Sequence, residues 1–135
     1  MIANRSMPSS TVIPVLGYDD VAEAVEWLCE TFGFRERWRL DTHRAQIAVG
    51  DGAVAVTERQ WGSERSVVMV RAEDVDVLYE RARDRGALIV DPPADYPYGE
   101  RQCTLEDPGG HRWTFSQSIA DVAPEDWGGS SRDLG

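Results

Sequence analysis

Two histidines, two cysteines and a handful of aromatic rings are the groups in this 135-residue chain on which chemistry could be built. His43 falls in a predicted loop and His111 in a predicted hairpin turn, and no carboxylate stands at a spacing that would orient either ring. A solvated loop residue and a turn residue are therefore expected ahead of a catalytic pair. Cys29 and Cys103 lie far apart without Cys-x-x-Cys spacing, as expected of reduced thiols in a cytoplasmic protein. Gly50-Asp51-Gly52 lacks the lysine and following helix of a phosphate loop and reads as a hairpin turn. The remaining groups suit binding better than bond-making. Trp38, Trp61, Tyr96 and Tyr98 are candidates for stacking on a ligand, and Gln102 and Arg112 for orienting a polar group on it. Core filling or a subunit contact is an equal alternative for each of these aromatics, and Trp113 is expected in the core. A surface or ion-paired position is the alternative for Arg112. Asp95 and Glu100 could attract a cation, although solvated loop charges are the plainer account.

The elements that must position these groups are legible from turns and periodicity. Asp107-Pro108-Gly109-Gly110 joins two β-like runs within Tyr98 to Gln117, a hairpin in which Cys103, Leu105, Trp113 and Phe115 share one face. Gln102, Thr104, Arg112 and Thr114 share the other. Upstream, Thr11 to Leu16 reads as a strand, and Asp20 caps a helix over 20–32 carrying Val21, Ala24, Val25, Leu28 and Phe32, closed by Gly33. Strands follow at Phe34 to Leu40, Ala45 to Val49 and Ala53 to Thr57. After a polar linker the order recurs: a strand at Val67 to Val70, a helix over 74–85 capped by Asp74 and closed by Gly86, a strand at Leu88 to Val90, then the hairpin. An offset of 54 superposes Ile13 on Val67, Asp20 on Asp74 and Val21 on Val75, which marks an internal duplication of a β-α-β-β-β unit. The predicted organisation is a disordered lead over 1–10, one domain over 11–117 built of units 11–58 and 65–117, and a tail over 118–135 with a short helix ending near Trp127.

Duplicated β-α-β-β-β units ending in Tyr98-Gly99 and an Asp107-Pro108-Gly109-Gly110-His111 hairpin resemble the vicinal oxygen chelate superfamily. This family holds glyoxalase I, extradiol dioxygenases, and fosfomycin and bleomycin resistance proteins. The resemblance implies an α+β fold whose curved sheets surround a cleft, often in dimers, with divalent metal held by His and Glu. At the positions carrying those ligands in metal-binding members this chain has Ile13, Ala55, Val67 and Thr114, which cannot supply a metal's donor shell. No metal and no cofactor are expected. If Thr114 marks the cleft side, the walls include Ile13, Val15, Gln46, Ala48, Ala53, Ala55, Thr57, Val67, Met69, Gln102, Thr104 and Arg112.

The 24 acidic against 14 basic residues, a net charge of −10, argue against a nucleic-acid backbone or an anionic membrane as the main partner. No apolar segment approaches the roughly 20 residues of a membrane span. The function expected is that of a bleomycin resistance-like binder, a homodimer sequestering an antibiotic or aromatic metabolite. Its ligand-binding residues are expected to be Trp38, Gln46, Ala55, Trp61, Met69, Tyr98, Gln102, Arg112 and Thr114. The alternative is a lyase, isomerase or dioxygenase-like enzyme of the same superfamily, either metal-free, with Arg112, Glu36 or Tyr98 assisting an isomerisation or hydrolysis, or metal-dependent through displaced ligands such as His43, Glu58 or Glu106.

Overall fold

A computed structural model describes residues 2–133 and contains two four-stranded mixed sheets and two helices, an α+β fold. The first unit comprises β1 (Val15–Tyr18), α1 (Val21–Phe32), β2 (Arg35–Leu40), β3 (Arg44–Val49) and β4 (Gly52–Glu58). The second comprises β5 (Val67–Arg71), α2 (Val75–Asp84), β6 (Leu88–Tyr96), β7 (Glu100–Glu106) and β8 (Arg112–Ser118). Sheet order is β1-β4-β3-β2 in the first and β5-β8-β7-β6 in the second, and in each the opening strand runs parallel to the closing one. The duplicated topology is thus present strand for strand.

The predicted caps are in place. Asp20 and Asp74 each accept a hydrogen bond from the backbone three residues on, at Glu23 and Val77. Gly33 and Gly86 adopt left-handed conformations with φ of 76° and 80°, which a residue with a Cβ adopts only at a cost. Both helices lie against one shared core. Leu16, Val25, Leu28, Ile47 and Val56 of the first unit belong to the same buried cluster as Val75, Ala82, Leu105, Trp113 and Phe115 of the second. Phe32 and Phe34 carry the junction, with ring centroids 4.8–6.4 Å from Trp113 and Phe115.

Two strands depart from the sequence reading. The first strand begins at Val15, not Thr11, although Pro14 still accepts a hydrogen bond from the Ala55 amide. The strand predicted at Leu88 to Val90 continues to Tyr96 through Pro92 and Pro93. As the outer strand of its sheet β6 needs few of its amides, and register shifts between Ile89 and Ala94 absorb the proline pair. The tail forms a single 3-10 turn, Pro124–Trp127.

Candidate functional site

Because the helix-side faces of both sheets meet in one core, their opposite faces look away from it. On the first sheet the register aligns Trp38, Gln46, Ala55 and Val15 in one row across β2, β3, β4 and β1. A register shift between Glu36 and Trp38 places a bulge immediately before the tryptophan. Above this row lies a hollow of about 450 Å³, lined by Ile13, Val15, Trp38, Arg44, Gln46 and Ala55 together with Asn4, Ser6 and Met7. A small side chain on a middle strand makes the room: Ala55 leaves space that a leucine would fill.

The N-terminal residues, expected to be disordered, run over this face as a strap. The Ser6 carbonyl accepts from Trp38 Nε1 at 3.0 Å and, more weakly, from Gln46 Nε2 at 3.5 Å. From outside, Arg37 Nη2 donates to the carbonyls of Arg5 and Met7 at 3.2 and 3.4 Å. Gln46 is only 3% exposed, and its Oε1 is buried without a hydrogen-bond partner among the described residues. An unmet buried acceptor is costly, so this atom marks a point where a bound molecule would gain affinity.

On the second sheet the polar groups are already paired. Thr104 and Thr114 hydroxyls lie 2.8 Å apart, Tyr98 donates to Gln102 Oε1 at 3.1 Å, and Gln102 Nε2 donates to Ser116 Oγ at 2.9 Å. Ser116 in turn donates to Glu100 at 2.7 Å, and hydrogen bonds from Ser118 and Ser116 hold the Glu100 carboxyl below its ordinary range. Tyr98 stacks on Tyr96 at 5.5 Å and meets the edge of Trp127 at 5.7 Å, so a tail residue caps this aromatic patch. Arg112 is half exposed and pairs with Glu106 at 3.4 Å. Met69 borders a different hollow, between β5 and the β3–β4 turn. Trp61, in the 3-10 turn after β4, is 69% exposed and borders neither hollow. Of the nine predicted ligand-binding residues, then, Trp38, Gln46 and Ala55 share one hollow. Tyr98 and Gln102 form a second, self-paired group, and Met69 aligns with Thr114 by register.

Asn4, Ser6, Met7 and Arg44 escaped the sequence reading, since the lead carries no periodicity that would tie it to a sheet. The histidines need one correction. Hairpin pairing of β3 with β4 brings Glu58 to 2.6 Å from His43 Nδ1, a carboxylate that spacing alone did not reveal. His111 is fully buried: its Nδ1 accepts from the Ser66 amide at 3.0 Å and its Nε2 donates to the Gly17 carbonyl at 2.7 Å. That pair of bonds fixes a neutral tautomer and ties the hairpin turn to the first strand, with neither nitrogen left for chemistry. Beside it Asp107 accepts from Tyr18 OH, Trp113 Nε1 and the amides of Gly109 and His111. Burial, helped by the Asp107 charge, pushes the Tyr18 phenol far above its ordinary range, which removes it as a candidate base.

A family model described as the Glyoxalase/Bleomycin resistance protein/Dioxygenase superfamily matches residues 12–115. The chain belongs to that superfamily. Among solved structures of this glyoxalase-type fold, TioX from Micromonospora sp. ML1 is 31% identical with a TM-score of 0.74, covering 82% of this chain and all of its own. TnmS3, an antibiotic binding protein from Streptomyces sp. CB03234, is 26% identical with a TM-score of 0.67, over 83% of this chain and 98% of its own. A lactoylglutathione lyase from Agrobacterium tumefaciens shares the fold at 17% identity and a TM-score of 0.71, over 83% and 96% of the two chains. Register supports the superfamily equivalence of Ala55 and Thr114, since they face Val15 and Met69 at matching points of the two units. With Ile13 and Val67 they offer three aliphatic side chains and a hydroxyl already bonded to Thr104, a donor set that does not fit a divalent metal.

Proposed function

We propose that this protein is a metal-independent binder of a small, partly aromatic organic molecule, sequestering an antibiotic or aromatic metabolite on the outer face of its first sheet. The observation that carries this reading is the row Trp38–Gln46–Ala55–Val15 beneath a hollow of about 450 Å³, which joins a stacking ring, an unmet polar atom and alanine-sized gaps. That volume lies in the range that takes a small ligand. The similarity to TnmS3 supports the antibiotic class. Among the described residues the lining of this hollow offers a stacking ring and amide groups suited to holding a compound, and no nucleophile and base pair.

Pairing with a second copy through the outer face of the second sheet is part of the proposal. Val67 and Met69 there are 72% and 64% exposed, a large apolar surface to leave in water. Two free cysteines without a partner suit a reducing, cytoplasmic compartment.

Titration of the purified chain with glycopeptide, quinone-like and polyketide compounds, followed by tryptophan fluorescence, tests the reading. Saturable quenching that disappears in Trp38→Phe, with the compound recovered unchanged, is the expected result. Recovery of a transformed product would make the protein an enzyme, and quenching that survives Trp38→Phe would move the site elsewhere.

A further inference from the structure

The strap supplies a chemical description of what the hollow is built to hold, an inference that rests on the binding reading above. Ser6 and Met7 share one peptide group, and no peptide bond among the described residues is cis. In a trans peptide the C=O and N–H point in opposite directions. The Ser6 carbonyl therefore meets Trp38 Nε1 and Gln46 Nε2, while the N–H of the same group turns away to the Asn4 carbonyl at 3.0 Å. This geometry leaves Gln46 Oε1, beside an Nε2 that the Ser6 carbonyl meets only at 3.5 Å, buried and without a partner among the described residues. The strap can answer the donors of the site and cannot answer its acceptor.

A side-chain amide presents its acceptor and donor on one edge, and its complement is a group with C=O and N–H on one edge: a cis amide held in a ring. We propose that the ligand carries a planar lactam-type edge, as in a pyridone or quinolone. Its carbonyl replaces the Ser6 oxygen at Trp38 Nε1 and Gln46 Nε2, and its N–H donates to Gln46 Oε1. The strap is then an internal occupant with half of the ligand's hydrogen-bonding pattern, displaced when the ligand enters. Its hold is light, because residues 2–7 are all exposed and are kept in place chiefly by the bonds from Trp38, Gln46 and Arg37.

Isothermal titration calorimetry with 2-quinolone and N-methyl-2-quinolone tests this. The methylated compound keeps the carbonyl and the ring but loses the donor, so the parent chain should bind it about tenfold or more weakly. Gln46→Leu should flatten that preference. Arg37→Gln, which frees the strap without touching the hollow, should tighten 2-quinolone binding, as should deletion of residues 2–9, with thermal melts confirming that each variant is folded. Equal affinity for the two compounds, a preference that survives Gln46→Leu, or no binding of 2-quinolone to the strap-deleted chain would overturn the lactam assignment. Quenching of Trp38 by another compound class in the same preparations would leave the binding reading standing, so the two failures are separable.

Discussion

At the scale of single residues, Asp107 carries more of the structure than any group in the candidate site. Its carboxylate collects two side-chain donors and two backbone amides at the point where the two units meet. Asp107→Ala strands all four donors in the core, and a loss of about 3 kcal/mol or more is expected in urea unfolding. Glu58→Gln, at the exposed His43 pair, should change stability by less than about 0.5 kcal/mol in the same assay. Cys103 gives a pH signature. Burial, then the nearby Asp76 charge, pushes its thiol up to about 11. The unfolded chain loses this proton first, so the stabilisation is fully present below the ordinary thiol range and is lost as pH rises toward 11. The urea midpoint should fall between pH 8 and pH 11, and fall less in Cys103→Ala. The sequence exposed some residue roles and hid others. Parity put Gln46 and Ala55 on one sheet face, where register sets them in a row with Trp38, and periodicity buried Trp113. Asp107 read only as a turn residue, because its partners Tyr18 and Trp113 are brought to it by tertiary packing.

Among the elements, the helices were the most legible, since Asp20, Gly33, Asp74 and Gly86 state their ends in local chemistry that tertiary contacts do not alter. Asp74→Ala should cost about 1 kcal/mol and raise hydrogen exchange across the first turn of α2, which has only Val75 and Ala82 buried to hold it. The strands at sheet edges were least legible. β6 needed knowledge that its prolines face no partner strand, and β1 lies one turn of sequence later than its β-branched run suggests. The hairpin turn between β7 and β8 has a tighter requirement than its glycines announce. A Cβ on Gly109 would stand 2.4 Å from Cδ1 of Tyr18, whose hydroxyl is held by Asp107. Gly109→Ala should therefore destabilise by about 2 kcal/mol, read as a lowered melting temperature, although φ at that position is unremarkable.

For the whole molecule, the duplication was visible in the sequence while the relation between the units was not, because nothing local says that α1 and α2 will share a core. The proposed pairing of two chains has a direct test. Light scattering should give twice the chain mass for the parent and the single-chain mass for Met69→Lys combined with Val67→Lys; a parent that elutes at the single-chain mass removes the pairing. The shared core also has a consequence for either unit taken by itself. Half of this chain, standing alone, would leave one side of its helix and the ring of Phe32 uncovered, so an isolated unit is expected to associate with itself or to stay unfolded. The hollow on one sheet and the closed hydrogen-bond network on the other show how far two units of one topology can differ in what their outer faces offer.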